Sequence, residues 1–189
     1  MPCVYIIGGP NGAGKTTLAQ TLLPEFLRVV DFVNADHIAS GLSGFNPGSV
    51  SVEAGRAMLK RIHELAEAGR DFAFETTLAS RFFAGFLEDL KQKGYSVTLI
   101  YVWLRTAGLA LRRVRYRVSN GGHNVPEDVV FRRYMRGLEN LRERFLPLAD
   151  AWYMYDNSGP EPILVAERQV DGEPVVHSAV IWKKISGRT

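Results

Sequence analysis

The chain has 189 residues, of which 46% are hydrophobic and 23% are charged. These proportions predict one globular domain and exclude disordered, collagen-like and membrane-spanning compositions. The single cysteine, Cys3, excludes an intrachain disulfide, and no export leader is visible, so we expect a cytoplasmic protein. The net charge of +3 is mild, which makes the placement of charges more informative than their total.

Apolar runs rich in β-branched and aromatic residues predict strands at 4–8, 29–33, 72–75, 97–104 and 152–155. Segments with helical spacing separate them, at 17–23, 52–68, 82–93, 109–118 and 126–146. This alternation predicts an α/β fold with a doubly wound, mostly parallel five-stranded sheet, whose ligands bind at the carboxyl ends of the strands. Two further strand-like runs, 163–166 and 175–182, flank Asp171 and Gly172 and predict a C-terminal β-hairpin over about residues 162–183.

A glycine-rich segment directly follows the first predicted strand and directly precedes the first predicted helix. It matches the P-loop pattern G-x-x-x-x-G-K-[ST] over Gly9, Pro10, Asn11, Gly12, Ala13, Gly14, Lys15 and Thr16. The backbone N–H groups of such a loop and the helix N-terminus after it bind phosphate oxygens, and Thr17 extends the segment. We expect Lys15 to reach the outer phosphates and Thr16 to ligate Mg²⁺.

The P-loop occurs in several classes of nucleotide-binding protein. An ABC-type ATPase has a longer chain and an apolar strand that ends in Asp-Glu, and a regulatory GTPase has an Asn-Lys-x-Asp motif. Neither motif is present in the sequence. The pattern therefore favours a small-molecule kinase, and the missing guanine motif favours ATP over GTP.

Asp36 follows the second predicted strand, where its carboxylate would face the P-loop across the sheet edge. Phosphoryl transfer to a hydroxyl needs a group within about 2.6–3.2 Å that orients the hydroxyl or accepts its proton. We predict this catalytic role for Asp36. The alternative is that Asp36 caps a helix that begins near His37.

Glu75 ends the third predicted strand in a pattern that resembles a displaced Walker B motif. We predict that its carboxylate holds a water of the Mg²⁺ shell or contacts the acceptor substrate. The alternative is a cap on the helix that follows. Thr77 and Arg81 belong to the same loop and are predicted substrate contacts.

Ten arginines and only four acidic residues lie between residues 105 and 144. All but Arg105 fall on two predicted helices around a turn at residues 120–123. Small kinases carry a lid in this position, which excludes water and brings arginines onto the phosphates. We predict a lid at about residues 105–136, in which Arg117 and Arg132 contact the phosphates. The adjacent Arg133 is an alternative to Arg132, and a solvated helix face is the alternative for each arginine. His123 is predicted to be a turn residue or a helix cap.

The segments GPNGAGKTT, VNAD, FAFETTLASR and RVRYRVSNGGHNVPEDVVFRRYMRGLENL resemble the zeta-toxin family of P-loop kinases, over most of the first 145 residues. The resemblance implies that Lys15 and Thr16 hold ATP and Mg²⁺ and that Asp36 activates the acceptor hydroxyl. It implies that Glu75 belongs to the substrate or metal region and that the two lid arginines clamp the phosphates. A UDP-amino-sugar acceptor and an antitoxin partner are also implied. The chain departs from the toxins in its shorter length and its C-terminal hairpin.

Three functions fit these features. The leading hypothesis is an ATP-dependent kinase that acts on a hydroxyl of a small metabolite. A second keeps the chemistry but makes the acceptor the 5′-hydroxyl of a nucleic acid, which the scarcity of aromatic residues among the arginines does not favour. A third is a nucleotide-dependent ATPase or binding module that a protein partner regulates.

Overall fold

A computed structural model describes residues 1–23, 29, 31–122 and 124–187. The central sheet has seven strands in the order β2-β3-β1-β4-β5-β6-β7. The strands are Cys3–Gly8 (β1), Phe32–Val33 (β2), Phe72–Thr76 (β3), Ser96–Trp103 (β4), Ala151–Asp156 (β5), Ile163–Arg168 (β6) and Val175–Val176 (β7). The first five run parallel, and β6 and β7 extend one edge in antiparallel pairing. The prediction of a mostly parallel α/β sheet is confirmed.

Helices connect the strands and cover both faces of the sheet. They are Lys15–Leu22 (α1), Ala35–Leu42 (α2), Ser51–Glu67 (α3), Phe82–Gln92 (α4), Ala107–Ser119 (α5), Glu127–Asn140 (α6), Leu146–Leu148 (α7) and Ala179–Ser186 (α8). A 3-10 turn, Pro47–Val50, precedes α3, and a π-helical turn, Leu141–Phe145, joins α6 to α7. Among the described residues, no helix combines the length and apolar character that a membrane span requires.

The core lies on both sides of β4, whose eight residues are all buried. A strand enclosed on both faces needs apolar side chains along its whole length, which explains the continuous run in this segment. One face packs against α3, α4 and α8 around Phe74 and Leu99. The other face packs against α1 around Ile7 and Ile100, and against α5 and α6 around Val102. This packing fixes the carboxyl ends of the parallel strands along one edge.

Several predicted bounds differ from the structure. The second strand is limited to Phe32–Val33, and Val30 of the predicted strand lies outside the described residues. Helix α2 follows it directly and was not among the predicted helices. The predicted helix at 126–146 is interrupted at Leu141, where the π-helical turn begins.

The prediction that the second strand of the hairpin continues to residue 182 is wrong. Strands β6 and β7 pair, and the Gly172 N–H donates to the Gln169 carbonyl at 3.0 Å in the turn between them. The chain then forms helix α8 where the second strand was expected to continue. Trp182 of this helix stacks on Trp152 with ring centroids 5.0 Å apart. A short apolar run fits a strand or one face of a buried helix equally well, and tertiary packing decides between them.

We expect Ile185→Ala to lower the free energy of unfolding by about 2–4 kcal/mol, because it opens a cavity beneath α8. Ile185 is fully buried, whereas Val180 of the same helix is 71% exposed. Val180→Ala is therefore the matched control and should change the free energy by less than about 0.5 kcal/mol. Denaturant unfolding measures both variants, and equally small losses would contradict the packing of α8 on the sheet.

Candidate active site

The P-loop joins β1 to α1 at the carboxyl edge of the sheet. Gly9, Gly12 and Gly14 have φ angles of 147°, 76° and 85°, values that residues with a side chain rarely adopt. A Cβ at position 9 would lie 2.4 Å from the Val102 carbonyl oxygen, and one at position 14 would lie 2.6 Å from Asn157 Nδ2. Glycine is required at both positions because the backbone conformation and the close approach each exclude a side chain.

Lys15 and Thr16 form the first turn of α1. Lys15 Nζ donates to the Pro10 carbonyl at 3.0 Å and lies 3.4 Å from Glu75 Oε1. The Lys15 side chain therefore lies over the P-loop with its ammonium group buried, and only 6% of the side chain is exposed. Thr16 Oγ1 donates to Glu75 Oε2 at 2.6 Å.

Glu75 links the P-loop to the second strand. It lies in β3 opposite Ile7 of β1, and its Oε2 accepts a hydrogen bond from Asn34 Nδ2 at 2.8 Å in addition to that from Thr16. The carboxylate is thus directed at the P-loop and away from α4. The N-cap residue of α4 is Arg81, which makes no side-chain cap bond. Glu75 therefore does not cap a helix.

The oxygen atoms of Thr16 and Glu75 suit a Mg²⁺ site. Mg²⁺ prefers oxygen ligands, and it is usually held by one or two protein groups together with substrate phosphates and water. Among the described residues there is no group of three or more His, Cys, Asp or Glu side chains that could hold a metal alone. A hydroxyl and a carboxylate 2.6 Å apart supply two suitable oxygens, so phosphate oxygens would have to complete the coordination.

Asp36 lies in the first turn of α2, after β2, which is separated from β1 and the P-loop by β3. It lines the same cavity as Asn11, Gly12 and Lys15 of the P-loop. The N-cap of this helix is Asn34, whose Oδ1 accepts the N–H groups of Asp36 and His37 at 2.7 and 3.3 Å. The Asp36 carboxylate is therefore not occupied in capping. Its Oδ2 lies 3.7 Å from Arg117 Nη1 at the end of α5, and 55% of the side chain is exposed.

A cavity of about 420 Å³ brings these groups together. Its polar lining includes Asn11, Lys15, Asn34, Asp36, Glu75, Thr77, Arg117 and Arg133. Helices α3 and α4 add an apolar wall that includes Met58 and Phe83. The cavity therefore combines the P-loop lysine, two carboxylates, two arginines and an apolar wall that suits a small organic molecule.

Arg132 does not line this cavity, and Arg133 does. Arg132 Nη1 lies 3.6 Å from Asp128 Oδ2, one turn back along the outer face of α6, and half of its side chain is exposed. Successive helical residues point about 100° apart, so only one of the two adjacent arginines can face inward. Burial lowers the pKa of Arg133, and the nearby Asp36 carboxylate opposes this effect.

The other predicted site residues are divided between the cavity and the surface. Thr77 lines the cavity directly after β3. Arg81 is exposed and lines a separate cavity of about 510 Å³ together with Arg136. Thr17 is exposed on α1, and the predicted turn residue His123 lies outside the described residues.

Two asparagines at this edge were not singled out from the sequence. Asn34 caps α2 with one side-chain atom and binds Glu75 with the other. Asn157 follows β5 directly, and its Nδ2 donates to the Ala13 carbonyl of the P-loop at 2.8 Å. The signal that could have identified both is a polar residue placed immediately after a parallel strand.

Comparison with known proteins adds evidence from sequence. The family model described as Zeta toxin matches residues 1–160. A Haemophilus influenzae protein described as uncharacterized is 31% identical over 126 residues, which make up 67% of this chain and 88% of that protein.

Solved structures share the fold at low sequence identity. A chain of the AvrRxo1-ORF1:-ORF2 complex with ATP has a TM-score of 0.79 at 18% identity over 98% of this chain. This chain spans only 64% of that chain. A chain of the PezAT toxin–antitoxin system of Streptococcus pneumoniae has a TM-score of 0.67 at 19% identity, covering 100% of this chain and 80% of its own. A gluconokinase from Sinorhizobium meliloti has a TM-score of 0.51 at 15% identity, covering 84% of each chain. The fold is that of the P-loop kinases.

We expect Gly9→Ala to weaken ATP binding by about tenfold or more, because the strain of a Cβ at this position costs about 1–3 kcal/mol. Gly44→Ala is the matched control, since no atom lies within 4 Å of a Cβ built there. Calorimetric titration of each variant with ATP and Mg²⁺ measures the difference. Equal affinities would show that the P-loop does not depend on the contact with Val102.

Proposed function

Because the chain belongs to the zeta-toxin family, we propose that it is an ATP-dependent kinase that phosphorylates a hydroxyl of a small metabolite. The observation that supports this proposal best is the common cavity of Lys15, Glu75, Asp36 and Arg117. Phosphoryl transfer requires a phosphate-binding loop, an oxygen-rich metal position, a group that orients the acceptor and cations that balance the developing charge. These side chains supply each part within one cavity.

Each residue has a distinct role in the proposed reaction. The P-loop amides and Lys15 bind the phosphates, and Thr16 and Glu75 would hold Mg²⁺, which neutralises phosphate charge when bound. Asp36 hydrogen-bonds to the acceptor hydroxyl and accepts its proton as the oxygen attacks the γ-phosphorus. The bond from the γ-phosphorus to its bridging oxygen then breaks, and ADP leaves.

Arg117 and Arg133 approach the acceptor side from two different helices. In the proposal both contact the transferring phosphoryl group, and Arg117 also restrains Asp36, from which it is separated by 3.7 Å. The helices and turn over about residues 105–136 act as the lid that excludes water. This assignment replaces Arg132 by Arg133, since Arg132 lies on the outer face of α6.

The acceptor class that we propose to test first is a UDP-amino-sugar. Family membership supports this choice. The apolar wall of Met58, Leu59 and Phe83 beside the carboxylates also suits a ring compound that presents a hydroxyl.

We expect Asp36→Asn to lower kcat for acceptor phosphorylation by about 100-fold or more, because the amide cannot accept the hydroxyl proton. ATP binding should persist, since Asp36 does not belong to the P-loop. Lys15→Ala should abolish ATP binding. Transfer of labelled phosphate from ATP to a metabolite extract, with the product identified by mass, measures acceptor phosphorylation, and calorimetry measures ATP binding.

The same assay separates the other functions. Unchanged transfer by Asp36→Asn, with loss in Lys15→Ala, would contradict the role of Asp36. Transfer only to an oligonucleotide with a free 5′-hydroxyl would replace the metabolite by a nucleic acid. Hydrolysis that no extract component stimulates would support the binding module regulated by a partner.

A protein partner is the second candidate, because apolar side chains are exposed beside the site. Phe45 is fully exposed between α2 and the 3-10 turn, and Leu42 and Val52 are more than half exposed. Exposed apolar residues near a cavity often mark a contact surface. The PezAT structure is described as a toxin–antitoxin system, so an antitoxin-like protein is the partner that we propose in this case.

We expect Arg133→Gln to lower kcat by about 100-fold or more, because a cation on the transferring group is worth several orders of magnitude in rate. Arg132→Gln should change kcat by less than about threefold, because an exposed ion pair contributes little. The two variants remove the same charge from adjacent positions, so net charge is controlled. Larger losses in Arg132→Gln would show that α6 rotates or moves in the working enzyme.

A further inference from the structure

The loop after β3 has an unusual backbone conformation. Leu78 is fully buried and has a φ angle of 57°, in the left-handed region that a bulky residue rarely adopts. Such a conformation persists only where the surrounding structure holds it in place. The preceding residue, Thr77, lines the candidate active site, so whatever restrains Leu78 also restrains the site.

Hydrogen bonds hold Leu78 from two sides. Its N–H donates to Thr76 Oγ1 at 3.2 Å, and its carbonyl accepts from Asn140 Nδ2 at 2.8 Å. Asn140, in the last turn of α6, is 3% exposed. The leucine side chain fills the space over Gly8, where a Cβ would lie 2.9 Å from Leu78 Cδ1. The loop is thus connected both to the residue before the P-loop and to α6.

Helix α6 also touches the loop through its backbone. A Cβ at Gly137 would lie 2.4 Å from the Thr77 carbonyl oxygen, which is closer than a carbon atom can approach. Arg133, Gly137 and Asn140 are spaced by four and three residues and therefore share one face of the helix. The arginine on this face lines the cavity, and the two residues after it contact the loop.

We propose that Gly137 and Asn140 are positioning residues that determine how tightly the acceptor binds. They fix the separation between Arg133 on α6 and Thr77 on the loop, so the acceptor lies between two elements that cannot move apart. They also anchor the proposed lid at its C-terminal end. The proposal rests on the kinase function proposed above. Acceptor binding then depends on contacts outside the P-loop. Loosening these contacts therefore weakens acceptor binding and leaves nucleotide binding unchanged.

The decisive variant is Gly137→Ala, whose new methyl group forces α6 away from Thr77. The KM for the acceptor should rise by about tenfold or more, since displacement of a substrate-positioning group by about 1 Å can cost 100-fold. The KM for ATP should stay within about twofold of that of the unmodified protein. Gly85→Ala in α4 is the matched control, because no atom lies within 4 Å of its Cβ position. A role in folding alone would lower the melting temperature and leave the acceptor KM unchanged, which would overturn the proposal.

A second variant covers the case in which Gly137→Ala does not fold. Asn140→Leu keeps the branching and the number of heavy atoms of the side chain and removes the donor to Leu78. It should raise the acceptor KM in the same selective manner. Equal increases in the KM for ATP and for the acceptor would overturn the proposal.

A readout that needs no acceptor separates this inference from the function itself. Hydrogen–deuterium exchange at residues 77–83 should be faster in Gly137→Ala and Asn140→Leu than in Gly85→Ala. If the unmodified protein phosphorylates nothing, the proposed function fails. The exchange rates alone then test whether α6 restrains the loop. Equal rates in all three variants would overturn this inference.

Discussion

The parallel pairing of β1 with β3 is the constraint on which the candidate site depends. It places Ile7 opposite Glu75, so that the carboxylate reaches the first turn of the helix after the P-loop. Lys15 and Glu75 are both largely removed from solvent, and buried charges of this kind are tolerated only when they are paired. Phosphate groups bound by the loop would compete for the same lysine. The ion pair therefore compensates both buried charges and holds the Lys15 and Glu75 side chains in place at the site.

The site is divided into a rigid side and an adjustable side. The P-loop is held against the Val102 carbonyl and Asn157, with no room for a side chain at two of its glycines. Asp36 and Arg117 lie farther from the core, are partly solvent-exposed and are separated by 3.7 Å. An exposed pair at this distance contributes little energy and can rearrange easily. In the proposed function, the structure therefore combines a fixed P-loop for the phosphates with partly exposed groups that rearrange around the acceptor.

The part of the cavity that we propose for the acceptor is built from residues distant in the sequence. Asn34 belongs to the second strand-to-helix junction, Thr77 to the loop after β3, and Arg133 to α6. The loop that carries Thr77 has its own backbone fixed through Leu78 and Asn140.

The sequence alone determined the P-loop, the alternation of strands and helices, and the carboxylate at the end of the third strand. Each is a local pattern, because backbone conformation and burial of a single strand depend mainly on neighbouring residues. Tertiary structure decided that residues 179–186 are helical, and it decided which arginine of the adjacent pair faces the cavity. It also gave the Asn34 side chain partners in two places at once, in its own helix and in Glu75, 41 residues away. These features depend on which faces pack together, and that choice is made by distant parts of the chain.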